Sequence, residues 1–170
     1  EKFNKNGHNF RAGMVRPVDQ DGNYKIDAKD RVILGSSTPN WTAGWVNTFS
    51  WKGIELALEL YGRFGFMVNT GGEGQLGMYQ QREISYWTPQ NTGADYQMPI
   101  YSTSGGDSYS SLLGFKKASF IKLRNISLGY NFDKKLCKAM RIENLKVYFQ
   151  AKNLGDVYSS IDFMDLDLGR

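Results

Sequence analysis

Between residues 54 and 64 apolar and polar side chains alternate: Ile54, Leu56, Leu58, Leu60, Gly62 and Phe64 interleave with Glu55, Ala57, Glu59, Tyr61 and Arg63. A period of two places these sets on opposite faces of a β-strand. Just upstream, Ala43, Trp45, Phe49 and Trp51 share one face, with Asn47 as the exception, while Thr42, Gly44, Thr48 and Ser50 lie opposite with Val46 among them. Lys52-Gly53 between the two runs predicts a two-residue hairpin turn. The alternation returns at Asn125–Phe132, with Ile126, Leu128, Tyr130 and Phe132 on one face. Ser119–Arg124 runs in the opposite phase, which predicts a bulge near Asn125. A fourth alternating run covers Leu145–Lys152.

These patterns predict strands at about 42–51, 54–66, 119–132 and 144–153, longer than the ~5–6 residues usual in globular sheets. The connections are unequal. One is a tight turn, one is a loop at 133–143, and one is a polar insertion at 67–118 in which Gln75–Trp87 has the makings of a short helix. Short turns on one side and long loops on the other suit an outer-membrane barrel, with Ile54, Leu56, Leu58 and Leu60 toward lipid and Glu55, Glu59 and Arg63 lining a hydrated lumen. Trp45, Trp51, Phe64, Phe66, Phe120, Tyr130 and Phe132 near strand ends fit interfacial girdles. A soluble β-sandwich also alternates, so periodicity leaves both architectures open.

Composition narrows the chemistry. The 170 residues carry no apolar run near the ~20 of a membrane-spanning helix, which leaves a barrel open. Lone Cys137 excludes a disulfide framework or a cysteine-based zinc site, and lone His8 excludes a multi-histidine metal centre. The net charge is +4, and the densest basic stretch, Lys134, Lys135, Lys138 and Arg141, is broken by apolar residues. That pattern reads as a solvated face and gives no nucleic-acid surface. The chain opens without methionine and closes in an acidic, loop-like stretch, so it reads as a piece of a longer protein.

Three groups of residues are candidates for function. Asp19, Asp21, Asn23, Lys25 (through its carbonyl), Asp27 and Asp30 occupy positions 1, 3, 5, 7, 9 and 12 of an EF-hand-like loop, a spacing that supplies oxygens to calcium. Tyr24 stands where that loop expects glycine, and Asp30 is shorter than the usual bidentate Glu. The plain alternative is a surface loop rich in Asx turns. Glu55, Glu59 and Arg63 share a strand face and read as lumen-facing charges with no catalytic role. Tyr79, Tyr86, Trp87, Tyr96, Tyr101 and Tyr109 crowd the long insertion. Such rings suit capture of a substrate or partner, or packing of the loop on itself. The glycines at 71–77 lack the Gly-Lys-Ser/Thr ending of a phosphate loop.

Several segments, in order, resemble the late barrel region of SusC/RagA-type TonB-dependent outer-membrane transporters. They are Val18–Asp27 with Asp30, Ile33–Ser37 with Pro39, Asn47–Gly53, Gly62–Gly65 with Asn69, Tyr86–Asn91, Ala118–Tyr130 and Val147–Leu154. The family pattern usually has glycine where this chain has Tyr24. The resemblance implies an all-β fold: the late strands of a large antiparallel transmembrane barrel, 22-stranded in the full-length family, with long extracellular loops. Residues 1–170 would be a C-terminal segment of it, without the plug domain and final strand. It further implies a bacterial outer-membrane importer of oligosaccharides or peptides, with no enzymatic step. Its partners would be a SusD-like lipoprotein, TonB through regions outside this chain, and outer-membrane lipid. The rival reading is a soluble, calcium-stabilised β-sandwich that binds carbohydrate.

Overall fold

The four alternating runs form four strands: β1 (Trp41–Trp51), β2 (Ile54–Asn69), β3 (Phe115–Asn131) and β4 (Lys146–Ser159). A computed structural model of the chain describes residues 2–71, 83–100 and 107–167. The strands make one sheet in the order β1-β2-β3-β4, and the β1–β2 and β3–β4 pairs are antiparallel. β2 runs past its predicted end, β3 begins earlier than predicted, and β4 ends later, its pairing with β3 continuing to Ser159. Two short helices, α1 (Lys2–Lys5) and α2 (Lys134–Ala139), accompany them. The loop expected at 133–143 thus contains a helical turn and a half, started by Asp133, whose carboxylate accepts from Lys135 N. Cys137 in α2 is buried and unpaired.

The chain divides into two compact units, Glu1–Gly35 with Met67–Lys116, and Ser36–Phe66 with Lys117–Arg170. In the second unit the β1–β2 register pairs Trp51 with Ile54, Phe49 with Leu56, Asn47 with Leu58 and Trp45 with Leu60. Cross-strand partners share a face, so one face of the hairpin is apolar. The other pairs Ser50 with Glu55, Thr48 with Ala57, Val46 with Glu59 and Thr42 with Arg63. The turn takes positive φ at both central residues, Lys52 (46°) and Gly53 (87°), as a two-residue hairpin of this twist requires. A Cβ on Gly53 would also stand 2.7 Å from the Asn131 carbonyl oxygen, so this position is closed to side chains.

Two phase changes shape the sheet. Gly65 has φ +70° with the Asn40 amide packed where its Cβ would go, and beyond it Phe66 turns to the face of Tyr61 and Arg63. The β3–β4 register shifts between Ile121 and Lys122 and again between Leu123 and Asn125, where Asn153 and Leu154 together face Arg124. The irregularity expected near Asn125 is therefore present, with the extra residue on β4 and Asn153 in the left-handed region. One expectation is corrected here. Phe66 and Phe120 belong to no girdle: both are buried, their rings 6.4 Å apart in edge contact, with Tyr61 against Phe120. The glycine-driven phase change carried Phe66 inward.

The apolar face stays open. Trp51, Phe49 and Phe149 on it are 67%, 53% and 69% exposed. A β-sandwich would bury such a face against a second sheet, and all four strands belong to one sheet. The outer edges of β1 and β4 have no partner strand among the described residues. Open edges beside an apolar face template aggregation. Residues 1–170 expressed alone are therefore expected to aggregate; a monomeric product melting cooperatively in sedimentation and calorimetry experiments would contradict this.

Candidate functional site

In the first unit, the acidic stretch folds through its own carboxylates. Asp19 accepts from Gly22 N at 2.7 Å and Tyr24 N at 2.8 Å, and Asp21 accepts from the Asn23 side-chain amide at 2.9 Å. Asp30 accepts from Gln20 N and Asp27 N, both at 2.8 Å. Tyr24 adopts φ 60° at the glycine position, a left-handed conformation that the two Asx-type bonds around it hold in place. These bonds draw together oxygens of Asp19, Asp21 and Asp30, all within 4.8 Å of one another. Oxygens 2.3–2.6 Å from a single ion can stand that far apart, so the three carboxylates fit around one calcium.

The other three residues of the expected set also take part in the loop's own hydrogen bonds. The Asp27 carboxylate caps the short 3-10 turn Ala28–Asp30, accepting from Lys29 N at 2.8 Å. Asn23 accepts from Lys25 N at 2.7 Å. A further contact was not legible in the sequence: His8 Nε2 accepts the Ile26 N–H at 3.0 Å, tying the amino-terminal segment to the loop. His8 itself stacks on Phe10, which stacks on Tyr109.

Of the six loop aromatics, Tyr79 and Tyr101 lie outside the described residues. Tyr96 is buried, and its hydroxyl accepts from Lys116 Nζ at 2.7 Å. Trp87 N donates to the Tyr96 carbonyl, and Tyr109 packs on Phe10. Tyr96 thus ties the loop to itself, while Tyr109 and the Trp87 ring pack it on the amino-terminal segment at Phe10 and Gly13. Tyr86 is 45% exposed and borders an open depression of about 490 Å³ with Glu83, Ile84, Ser85, Thr88 and Asn91. It is the one exposed ring among the four described. The helix expected at 75–87 falls mostly outside the described residues, and 83–87 is not helical.

In the second unit, the polar face separates the charges that the sequence grouped. Glu55 accepts from Asn131 Nδ2 at 2.7 Å and from Lys146 Nζ at 2.5 Å. It lines a groove of about 260 Å³ with Thr48, Ala57, Ser127, Gly129, Lys146, Tyr148 and Gln150. Glu59 is four residues along the strand, roughly 13 Å away at a rise of ~3.4 Å per residue. That exceeds the ~5–9.5 Å between the two carboxylates of glycoside hydrolysis. The Arg63 guanidinium lies 5.2 Å from the Phe66 ring, farther still from Glu55. The three share a face and form no site together.

The densest charge on this face went unrecognised in the sequence. Lys122, with a side chain 6% exposed, pairs with Asp165 at 2.6 Å and has Asp156 and Asp167 each at 3.9 Å. Arg124 pairs with Asp167 at 3.1 Å and lies 3.6 Å from the Tyr61 ring centroid. The signal that was available is the matched spacing of two: Lys122 and Arg124 against Asp165 and Asp167.

Long antiparallel strands with one exposed apolar face and one charged face define the wall of a membrane β-barrel. No protein-family model matches the chain. Among curated proteins it is 27% identical over 147 residues to TonB-dependent receptor P3 of Formosa agariphila, covering 81% of this chain and 14% of that protein. It is also 27% identical over 154 residues to TonB-dependent receptor P26 of the same organism, covering 84% of this chain and 15% of that one. Among solved structures it resembles the RagAB peptide importer in its closed-closed state, with a TM-score of 0.57 and 25% identity over 83% of this chain and 17% of the matched one. A second RagAB peptide transporter structure gives a TM-score of 0.56 and 26% identity. The chain is thus similar to a segment of TonB-dependent receptors and shares the fold of the matching part of the RagAB transporter. It spans about a seventh of the length of those curated relatives.

Asp30 gives the acidic loop a pH dependence. Backbone N–H groups of Asp27, then Gln20, hold its carboxyl below the ordinary value of 3.8. A depressed carboxyl stabilises the fold above its unfolded value, and that contribution is lost as pH falls through the folded one. Amide exchange at Gln20 and Asp27 is expected to accelerate only below about pH 4. An Asp30→Asn variant should lose that dependence; an unchanged profile in the variant would assign it to another group.

Proposed function

We propose that this chain is part of the wall of a bacterial outer-membrane importer driven through TonB, which works with a SusD-like surface lipoprotein and admits peptides or oligosaccharides. The observation that carries the reading is the exposed apolar face: Trp45, Trp51, Leu128 and Phe149 lie open on a single sheet, as a lipid-facing wall requires. The polar face then borders the lumen, where Glu55 and Lys146 stay hydrated. No helix among the described residues is long and apolar enough to cross a membrane, so a crossing would be made by strands. The likeness to a peptide importer supports peptides as the cargo class. The names of the similar proteins, receptors and importers, fit a role in binding and gating without bond chemistry.

In this reading the long connection between β2 and β3 lies outside the lipid band, where substrate and lipoprotein meet the barrel. Tyr86 is its exposed aromatic. Loss of one stacked aromatic contact removes about 1 kcal/mol, or roughly fivefold in affinity. Peptide uptake by cells carrying the full-length protein with Tyr86→Ala should fall by about that factor, with barrel assembly intact. Undiminished import across all substrates would remove this loop from the mechanism.

Calcium at the acidic loop is a further part of the proposal. Asp19, Asp21 and Asp30 would supply the charge, and their backbone bonds leave further lone pairs free for an ion. Chelation should loosen residues 19–30 in hydrogen exchange and leave the strands unchanged, and Asp19→Ala or Asp21→Ala should abolish the difference. Identical exchange with and without chelator would leave a metal-free Asx-turn loop.

A further inference from the structure

Beyond β4 the chain turns back across the polar face of β3. Ser160 N donates to the Ser119 carbonyl at 2.9 Å, and Ser119 N donates to Ser160 Oγ at 2.9 Å. Ile161 and Leu166 are buried. On either side of Leu166 the segment delivers two carboxylates to two cations. Lys122 Nζ donates to both oxygens of Asp165 at 2.6 Å. Arg124 Nη2 donates to the two oxygens of Asp167 at 3.1 and 3.3 Å. Lys122 and Arg124 are two residues apart on a strand, about 7 Å; Asp165 and Asp167 are likewise two residues apart, on a bend in which the Asp165 carboxylate accepts from Asp167 N at 2.9 Å. The Tyr61 ring, 3.6 Å from the Arg124 guanidinium, fixes the plane in which Arg124 presents its donors.

We propose that Lys122, Arg124 and Tyr61 form a recognition site for paired carboxylates, the pattern an acidic peptide carries, and that Asp165-Leu166-Asp167 fills it in cis. Two features separate this from a permanent buried salt bridge. First, the side chains of Arg124, Asp165 and Asp167 are 35%, 38% and 21% exposed, so water reaches the contact. Second, Asp156, 3.9 Å from Lys122, belongs to β4 and so is not carried off with the segment. The buried ammonium therefore keeps a counter-charge, and its heavy penalty for standing alone is avoided. With the segment docked, three carboxylates face two cations. Without it, Lys122 and Arg124 face Asp156 alone, and the site carries one surplus positive charge. The segment is thus a stand-in for an acidic ligand on what the importer reading makes the lumen face, and the proposal rests on that reading only for the ligand's source.

The test uses the full-length protein with its lipoprotein partner in detergent, and a capped Asp-Leu-Asp peptide as probe. Asp165→Lys with Asp167→Lys sets like charges against Lys122 and Arg124 and expels the segment. This variant should bind the probe at least tenfold tighter than the unmodified protein, and adding Arg124→Gln should abolish the gain. Heat-modifiable gel migration reports barrel assembly. Should the charge-reversed protein fail to assemble, Asp165→Asn with Asp167→Asn carries the same expectation. Equal binding by variant and unmodified protein overturns the proposal, as does a gain that survives Arg124→Gln. Uptake is measured separately: tighter binding without import of any peptide supports the site while removing the importer reading.

Discussion

The sheet depends on its side chains keeping phase across strands of 11 to 17 residues. Each strand presents an apolar set on one face and a largely polar set on the other, and a slip of one residue exchanges the two for everything beyond it. The β1–β2 register holds phase from Trp51–Ile54 to Trp41–Phe64 without interruption. It can do so because the turn at Lys52-Gly53 has the positive φ angles that let two twisted strands leave it in register. Where phase changes, it changes at identifiable residues. Gly65 turns Phe66 inward, and beside Asn125 the β3–β4 register shifts by one residue, with the extra residue on β4.

On the polar face, charge is managed by pairing. Near the hairpin turn Glu55 meets Lys146 and Asn131 beside a wet groove, where exposed pairs contribute ~0–1 kcal/mol. Toward the other end the environment is drier, and Lys122 is surrounded by carboxylates because an ammonium at that burial cannot stand alone. The same face therefore holds a solvated pair of little energetic weight and a network in which the buried Lys122 ammonium needs a counter-charge close by.

The acidic loop solves a different problem, which is how a stretch with little apolar content takes a defined shape. Its carboxylates accept backbone N–H groups at short range, and the loop closes on itself before any ion is considered. The same geometry that satisfies the backbone leaves three carboxylates close together, so a candidate cation site and a self-satisfied turn are two aspects of one arrangement.

The sequence alone was enough to determine the strands, the tight turn, the phase change near Asn125 and the separation of apolar from charged faces, because side-chain period is a local property of an extended chain. It also placed Asp19, Asp21 and Asp30 in one loop, since their spacing acts over a dozen residues. The tertiary structure alone decided that Phe66 and Phe120 turn inward, that Trp87, Tyr96 and Tyr109 pack the loop while Tyr86 stays open, and that Glu55 and Arg63 never meet. It alone joined Lys122 to Asp165 across 43 residues of sequence. Such pairs are invisible to periodicity, because which charge faces which is set by where the folded chain crosses the sheet.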